Sequence, residues 1–169
     1  MPNFSLGESM PGFTLPAVSG EPFSFDPQKK IERQWHLLVF FRGSWCSACI
    51  KALEDLELNK KAFEDGDIRL VTVSTDKLAD LKNMSQELKL TFPVLADENF
   101  KVLNQFDVYI HVENAPYEDT GIHGEPAYFL MDEEGKLLYQ QRQTSPYGRP
   151  TADGLQQVIK FIKKKMSTV

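Results

Sequence analysis

Leu37 to Phe41 is an unbroken run of large apolar residues that ends in Arg42-Gly43-Ser44. Beyond it the period changes, and Ile50, Leu53 and Leu56 recur at helical spacing. The pattern predicts a buried strand over His36–Phe41, a sharp turn, and a helix from Trp45 to about Glu64 with Ser44 as its N-cap. Asp65-Gly66-Asp67 ends that helix, and Ile68 to Val73 reads as a second core strand. Leu78, Leu81, Met84 and Leu88 keep helical spacing behind Thr75 or Asp76 as cap. Phe92-Pro93-Val94-Leu95 reads as a short edge strand, where a proline at the start is tolerated. Asp97 is placed to cap a third helix through Phe106.

Val108 to Gly124 fits neither period and reads as a loop or short insertion. Ala127 to Met131 is a third core strand, and the turn Asp132–Gly135 returns Lys136 to Gln140 antiparallel to it. Ser145 to Pro150 is another loop, and Leu155, Val158, Ile159, Ile162 and Met166 mark one face of a final helix. Near the N-terminus, Phe13-Thr14-Leu15 and Phe23-Ser24-Phe25 flank a turn signal and predict a hairpin or two extended pieces. Strand–helix–strand units followed by a closing hairpin make a mixed sheet with helices on both faces, an α/β architecture. No repeat or linker divides the chain, so one domain over residues 1–169 is expected.

Composition narrows the function. With 41% hydrophobic and 25% charged residues the chain is ordinary for a soluble globular protein. A net charge of −5 argues against nucleic acid and anionic membranes as partners. The cluster Lys160, Lys163, Lys164 and Lys165 complements the end of the last helix. No apolar run approaches membrane-spanning length, and the N-terminal residues lack a signal-peptide pattern, so a cytoplasmic location is expected.

The chemistry lies in the only two cysteines, Cys46 and Cys49, at the strand-to-helix turn. A helix start stabilises a thiolate, so Cys46 should be acidified and exposed. Cys49, three residues on, shares its helical face and can close a small disulfide ring. Zinc would need two more ligands, and only His36, His111 and His123 are left to supply histidine nitrogen. Inert packing is the other alternative, since free cysteine is often buried. A C-x-x-C pair in a βα context favours redox chemistry over both.

These residues carry a resemblance that spans nearly the whole chain. GESMPGFTLPAVSGEPFSF, LLVFFRGSWCSAC, FPVLADENFKVLNQFDV and GEPAYFLMDEEGKLL are similar to successive pieces of the alkyl hydroperoxide reductase C / thiol-specific antioxidant (AhpC/TSA) family. That family is peroxiredoxin-like, with a thioredoxin-like fold and an N-terminal hairpin extension. The resemblance implies a thiol-disulfide oxidoreductase or thiol peroxidase acting in cell redox homeostasis. Cys46 would be the nucleophile and Cys49 the resolving thiol. No cofactor is implied. The partners would be a disulfide or peroxide substrate and an external thiol reductant such as thioredoxin.

The resemblance also places Pro126 at the cis-proline position, where the backbone of Glu125 would lie against the cysteines. Trp45 belongs to the motif. Arg42 could offset the Glu125 carboxylate or face solvent, and His123 could approach the pair when its loop packs down. The chain departs from the peroxiredoxin pattern P-x-x-x-T-x-x-C, with Val39 and Gly43 in the positions of the proline and threonine before Cys46. A Cu(I)-handling metallochaperone-like module and a redox-inert interaction module remain the alternatives on this fold.

Overall fold

The computed structural model describes residues 4–30 and 34–167. Its centre is a five-stranded sheet in the order β5-β4-β3-β8-β9. The middle strand β3 is Trp35–Phe40, every residue of it buried. It pairs in parallel with β4, Ile68–Ser74, and antiparallel with β8, Ala127–Met131. Beyond them lie β5, Val94–Ala96, and β9, Leu137–Arg142.

A strand buried on both faces explains the continuous apolar run, because successive side chains point to opposite sides. Leu37 and Val39 join Leu53 and Leu56 of α1 (Ser47–Leu58), Leu81 of α3 (Leu78–Leu88) and Leu155 of α5 (Ala152–Ser167). Leu38 and Phe40 face the other core, with Val102 and Leu103 of α4 (Lys101–Gln105) and Phe25 of the N-terminal hairpin. That hairpin pairs β1, Phe13–Leu15, with β2, Phe23–Phe25. The chain after β1 also covers the open edge of β5, where Val18 N–H donates to Val94 O and Ala96 N–H to Pro16 O, each at 3.0 Å.

Four local expectations change. The first helix begins at Ser47 and breaks at Asn59, after which α2 spans Lys60–Asp65. The Asn59 side-chain amide bonds back to Asp55 O at 2.8 Å, offering the chain an alternative to the helical ladder. The N-cap of α1 is Cys46 rather than Ser44, which turns instead to Asp76. That contact removes Asp76 from capping, and α3 starts after Lys77 without a side-chain cap. Asp97 does hold a free amide of α4, accepting from Leu103 N–H at 2.8 Å. The irregular segment is partly ordered as a ladder, with β6, Ile110–His111, antiparallel to β7, His123–Gly124.

Candidate active site around the cysteine pair

Where β3 ends the chain must turn sharply, and Gly43 makes the turn workable. A side chain there would collide with the Trp45 indole, which folds back over the glycine. The space where the peroxiredoxin pattern has its threonine is therefore filled by the tryptophan ring. Cys46 follows at the head of α1, and its sulfur accepts from Cys49 N–H at 3.3 Å. A cysteine does the work of the usual serine or aspartate cap, so helix geometry and thiol chemistry meet on one atom.

The two sulfurs have different neighbours. Cys46 Sγ faces the Arg42 guanidinium, with Nη1 at 3.7 Å. Its thiol is pushed well below the ordinary range, first by the hydrogen bond from the Cys49 thiol, then by the Cys49 amide and the Arg42 charge, against a burial that opposes them. Cys49 is pushed up, because its thiol donates to Cys46 and because it is completely buried. Its sulfur accepts from Arg42 N–H at 3.4 Å and from Arg149 Nη2 at 3.2 Å.

Arg42 does not face solvent: it is 5% exposed and is the hub of the site. Its Nε lies 3.3 Å from Glu125 Oε2 and 3.2 Å from His123 Nε2, while Nη2 pairs with Asp119. The guanidinium carbon sits 4.8 Å above the Trp45 ring. His123 Nε2 also lies 3.0 Å from Glu125 Oε1, and its ring stacks on His111 at 5.2 Å and meets Trp45 edge-on at 4.9 Å. Glu125, fully buried, is thus neutralised beside the thiols by Arg42. Asp119 is held below the usual carboxylate range by its bond to the same guanidinium.

Two expectations are corrected. Pro126 is not cis; no cis peptide bond occurs among the described residues. Trans is the favoured state of an X–Pro bond. Glu125 N–H donates to Tyr109 O at 2.8 Å and Pro126 O accepts from Gln143 N–H, so the Glu125 amide is engaged rather than free for a substrate. Cys46 is not exposed either: it is 4% accessible, since the same arginine and cysteine contacts that acidify it also enclose it.

The structure brings Arg42, Trp45, Cys46, Cys49, His123 and Glu125 together, where the sequence left Arg42 between the site and solvent and gave His123 only a possible approach; Pro126 is buried. Arg149 and Asp119 were missed, and His111 was weighed only as a zinc ligand. Asp119 and His111 lie in the segment 108–124, which reads from the sequence as a loop or short insertion. Nothing local marks Arg149, which reaches Cys49 from 100 residues away and also bonds Pro146 O at 2.8 Å. Tyr128, whose phenol burial pushes up to about 12, touches the same arginine. His111, Asp119 and Glu125 could offer one metal ligand each within 4.8 Å, but Arg42 already stands as countercharge on both carboxylates.

Comparison with known proteins agrees with this geometry. The AhpC/TSA family profile matches residues 6–140. Peroxiredoxin Bcp of Escherichia coli is 27% identical over 131 residues, covering 78% of this chain and 81% of that protein. Thiol-disulfide oxidoreductase ResA of Bacillus thuringiensis is 25% identical over 137 residues, covering 80% and 68%. The crystal structure of a peroxiredoxin 6 mutant from Arenicola marina superposes with a TM-score of 0.78 at 18% identity, covering 98% of this chain and 75% of that one, which identifies the fold as thioredoxin-like.

Proposed function

The chain belongs to the AhpC/TSA family, and on that premise we propose that it is a dithiol peroxidase in which Cys46 attacks and Cys49 resolves. The carrying observation is the asymmetry of the pair: Cys46 is acidified and faces Arg42, while Cys49 is held as a thiol below it. The Cys46 thiolate attacks one peroxide oxygen, the O–O bond breaks, and the leaving alkoxide or hydroxide takes up a proton. Cys46 is now a sulfenic acid. Cys49 attacks its sulfur, water leaves, and a Cys46–Cys49 disulfide closes. Two electrons from an external thiol reductant restore the dithiol. No metal or organic cofactor takes part.

Enclosure of Cys46 means that Trp45, the exposed lid on Arg42, must shift for peroxide to enter. Among the described residues no helix is long and apolar enough to cross a membrane. Transfer to a protein disulfide is the second reading, favoured by the tryptophan that fills the space beside Gly43. The test is stopped-flow reaction of reduced protein with hydrogen peroxide and, separately, with a small disulfide. Peroxide should close the internal disulfide with loss of both free thiols at matched rates. A protein that reacts with the disulfide but leaves peroxide untouched supports the second reading and sinks the first.

A further inference from the structure

A cavity of about 700 Å³ opens toward the end of the sheet opposite the dithiol. Arg69 of β4 lines it and is paired with His36 at the start of β3, whereas the cysteines follow the end of that strand. Val94 of β5 and the C-terminal turn of α3 complete the walls. The volume falls within the range of about 300–1,000 Å³ that small-molecule sites occupy. Val18, Phe23, Leu90 and Phe92 add an apolar lining.

Its charge runs against that of the chain. The protein carries −5 overall, yet Arg69, Lys82 and Lys89 line this hollow, against Glu21 as the one carboxylate among its lining residues. Among the described residues none of the three cations pairs with a carboxylate. The Arg69 guanidinium lies on the Phe23 ring, 4.9 Å from its centre, so stacking places the fork while its N–H groups stay uncommitted among the described residues. Ser85 also lines the cavity. It is only 7% exposed, and its hydroxyl has no hydrogen-bond partner among the described residues. A buried polar group in that state calls for a partner.

Lys89 closes α3 at φ 55°, in the left-handed region. Glycine fills such a C-terminal position without strain. A lysine there keeps a cation on the cavity at a conformational cost. Complementing the negative end of the helix accounts for Lys89 alone. Lys82 stands near the middle of α3 and Arg69 on β4, outside that account.

We propose that this cavity binds a small phosphate ester with an apolar or aromatic body. A carboxylate would need one cation, whereas three unpaired cations facing one glutamate suit a dianion. The phosphate takes hydrogen bonds from the Arg69 fork, the two lysines and the Ser85 hydroxyl, which then has its partner. The body lies on Val18 and Leu90, which are only partly buried. The site shares no residue with the dithiol and does not depend on how that pair is read.

The test is fluorescence titration of the reduced full chain with 1-naphthyl phosphate at about pH 8, where the ester is a dianion. 1-Naphthoate, 1-naphthol and inorganic phosphate serve as controls for a single charge, for the body and for the bare anion. The ester should bind about tenfold more tightly than any of them, and less tightly in about 0.5 M salt. Arg69→Met, which keeps a chain on Phe23, should weaken it about tenfold, and Lys82→Gln about threefold. Lys89→Gly should weaken it to a similar degree without lowering the melting temperature, since glycine relieves the left-handed strain. Equal binding of 1-naphthol would show an apolar hollow with no anion site, and equal binding of 1-naphthoate would remove the dianion; either result overturns the proposal. So does full affinity in both Lys82→Gln and Lys89→Gly, which sit at exposed positions and leave the core untouched. Protection of Cys46 from iodoacetamide by the ester would place it at the dithiol and overturn the site as well.

Discussion

The two sulfurs, one helical turn apart, live in opposite environments. Cys46 caps the helix, accepts an amide hydrogen at 3.3 Å and faces an arginine that is itself shared with two carboxylates and a histidine. Cys49 sits fully buried, next to an arginine that pairs with no carboxylate among the described residues and bonds a backbone oxygen. In the first site Arg42 is shared among the Cys46 sulfur, Asp119 and Glu125. In the second, the hydrogen bond to Cys46 and burial together outweigh one dedicated cation. One sequence motif therefore holds an acidified thiol and a suppressed thiol; the difference begins with the hydrogen bond between the two cysteines and is reinforced by residues outside the motif.

Exchange of the thiols tests the comparison most severely. Cys46→Ser should lose peroxide turnover by about 10³-fold or more, because the nucleophile is gone. Cys49→Ser should still react once but trap a sulfenic acid or a mixed disulfide on Cys46, visible as an adduct by non-reducing mass spectrometry. An adduct through Cys49 in the Cys46→Ser protein, with none in the Cys49→Ser protein, would reverse the roles.

The arginines come next, as a double dissociation. Cys46 has its folded pKa lowered to about 5. Its alkylation rate should stay level as pH falls from 9 and drop only in the acid range. The stability that the thiolate lends the reduced protein has the same sign: it is present above the unfolded thiol value of about 8.5 and is lost as pH falls through the folded value. Arg42→Met should move the falling limb upward and slow alkylation at pH 6 by about tenfold to a hundredfold. It also leaves Glu125 buried without its cation, so Arg42→Lys is the companion variant, keeping charge but losing the planar fork. Arg149→Met should leave the Cys46 profile in place and slow disulfide closure by about tenfold, since a buried thiol without its cation ionises less readily. Equal effects of both arginines on the Cys46 profile would show that the two sites are one.

Legibility followed the same division. The strand β3, its parallel partner β4 and the hairpin of β8 and β9 were readable because burial on both faces writes an unbroken apolar run, and helical faces write their own period. The dithiol was readable because only two cysteines exist and they stand at the turn. The environment of each sulfur was not. Capping by Cys46 rather than Ser44 depended on Asp76, 32 residues on, capturing the serine. The backbone contacts of Glu125 and its ion pair with Arg42 come from Tyr109 and from the turn after β3, both distant in sequence. Arg149 carries no pattern at all, because a single loop residue announces its contact only once the sheet has brought the two ends together.

The smallest expected effect probes the sharing of Arg42. Asp119 sits on a loop, a quarter exposed, and pairs directly with Arg42. In Asp119→Asn the side chain keeps its shape and one acceptor but loses its charge. If Asp119 competes for the guanidinium, the Cys46 thiolate gains a larger share of it, and its pKa falls slightly further. Alkylation on the acid limb, where only part of Cys46 is ionised, should then rise by about twofold to threefold, as befits a partly solvated pair. On the neutral plateau, where ionisation is already complete, the rate should not change. If Asp119 instead positions Arg42 over the sulfur, the same substitution lets the guanidinium drift and alkylation on the acid limb slows. The direction of one small change thus decides whether the loop carboxylate restrains the attacking thiol or supports it.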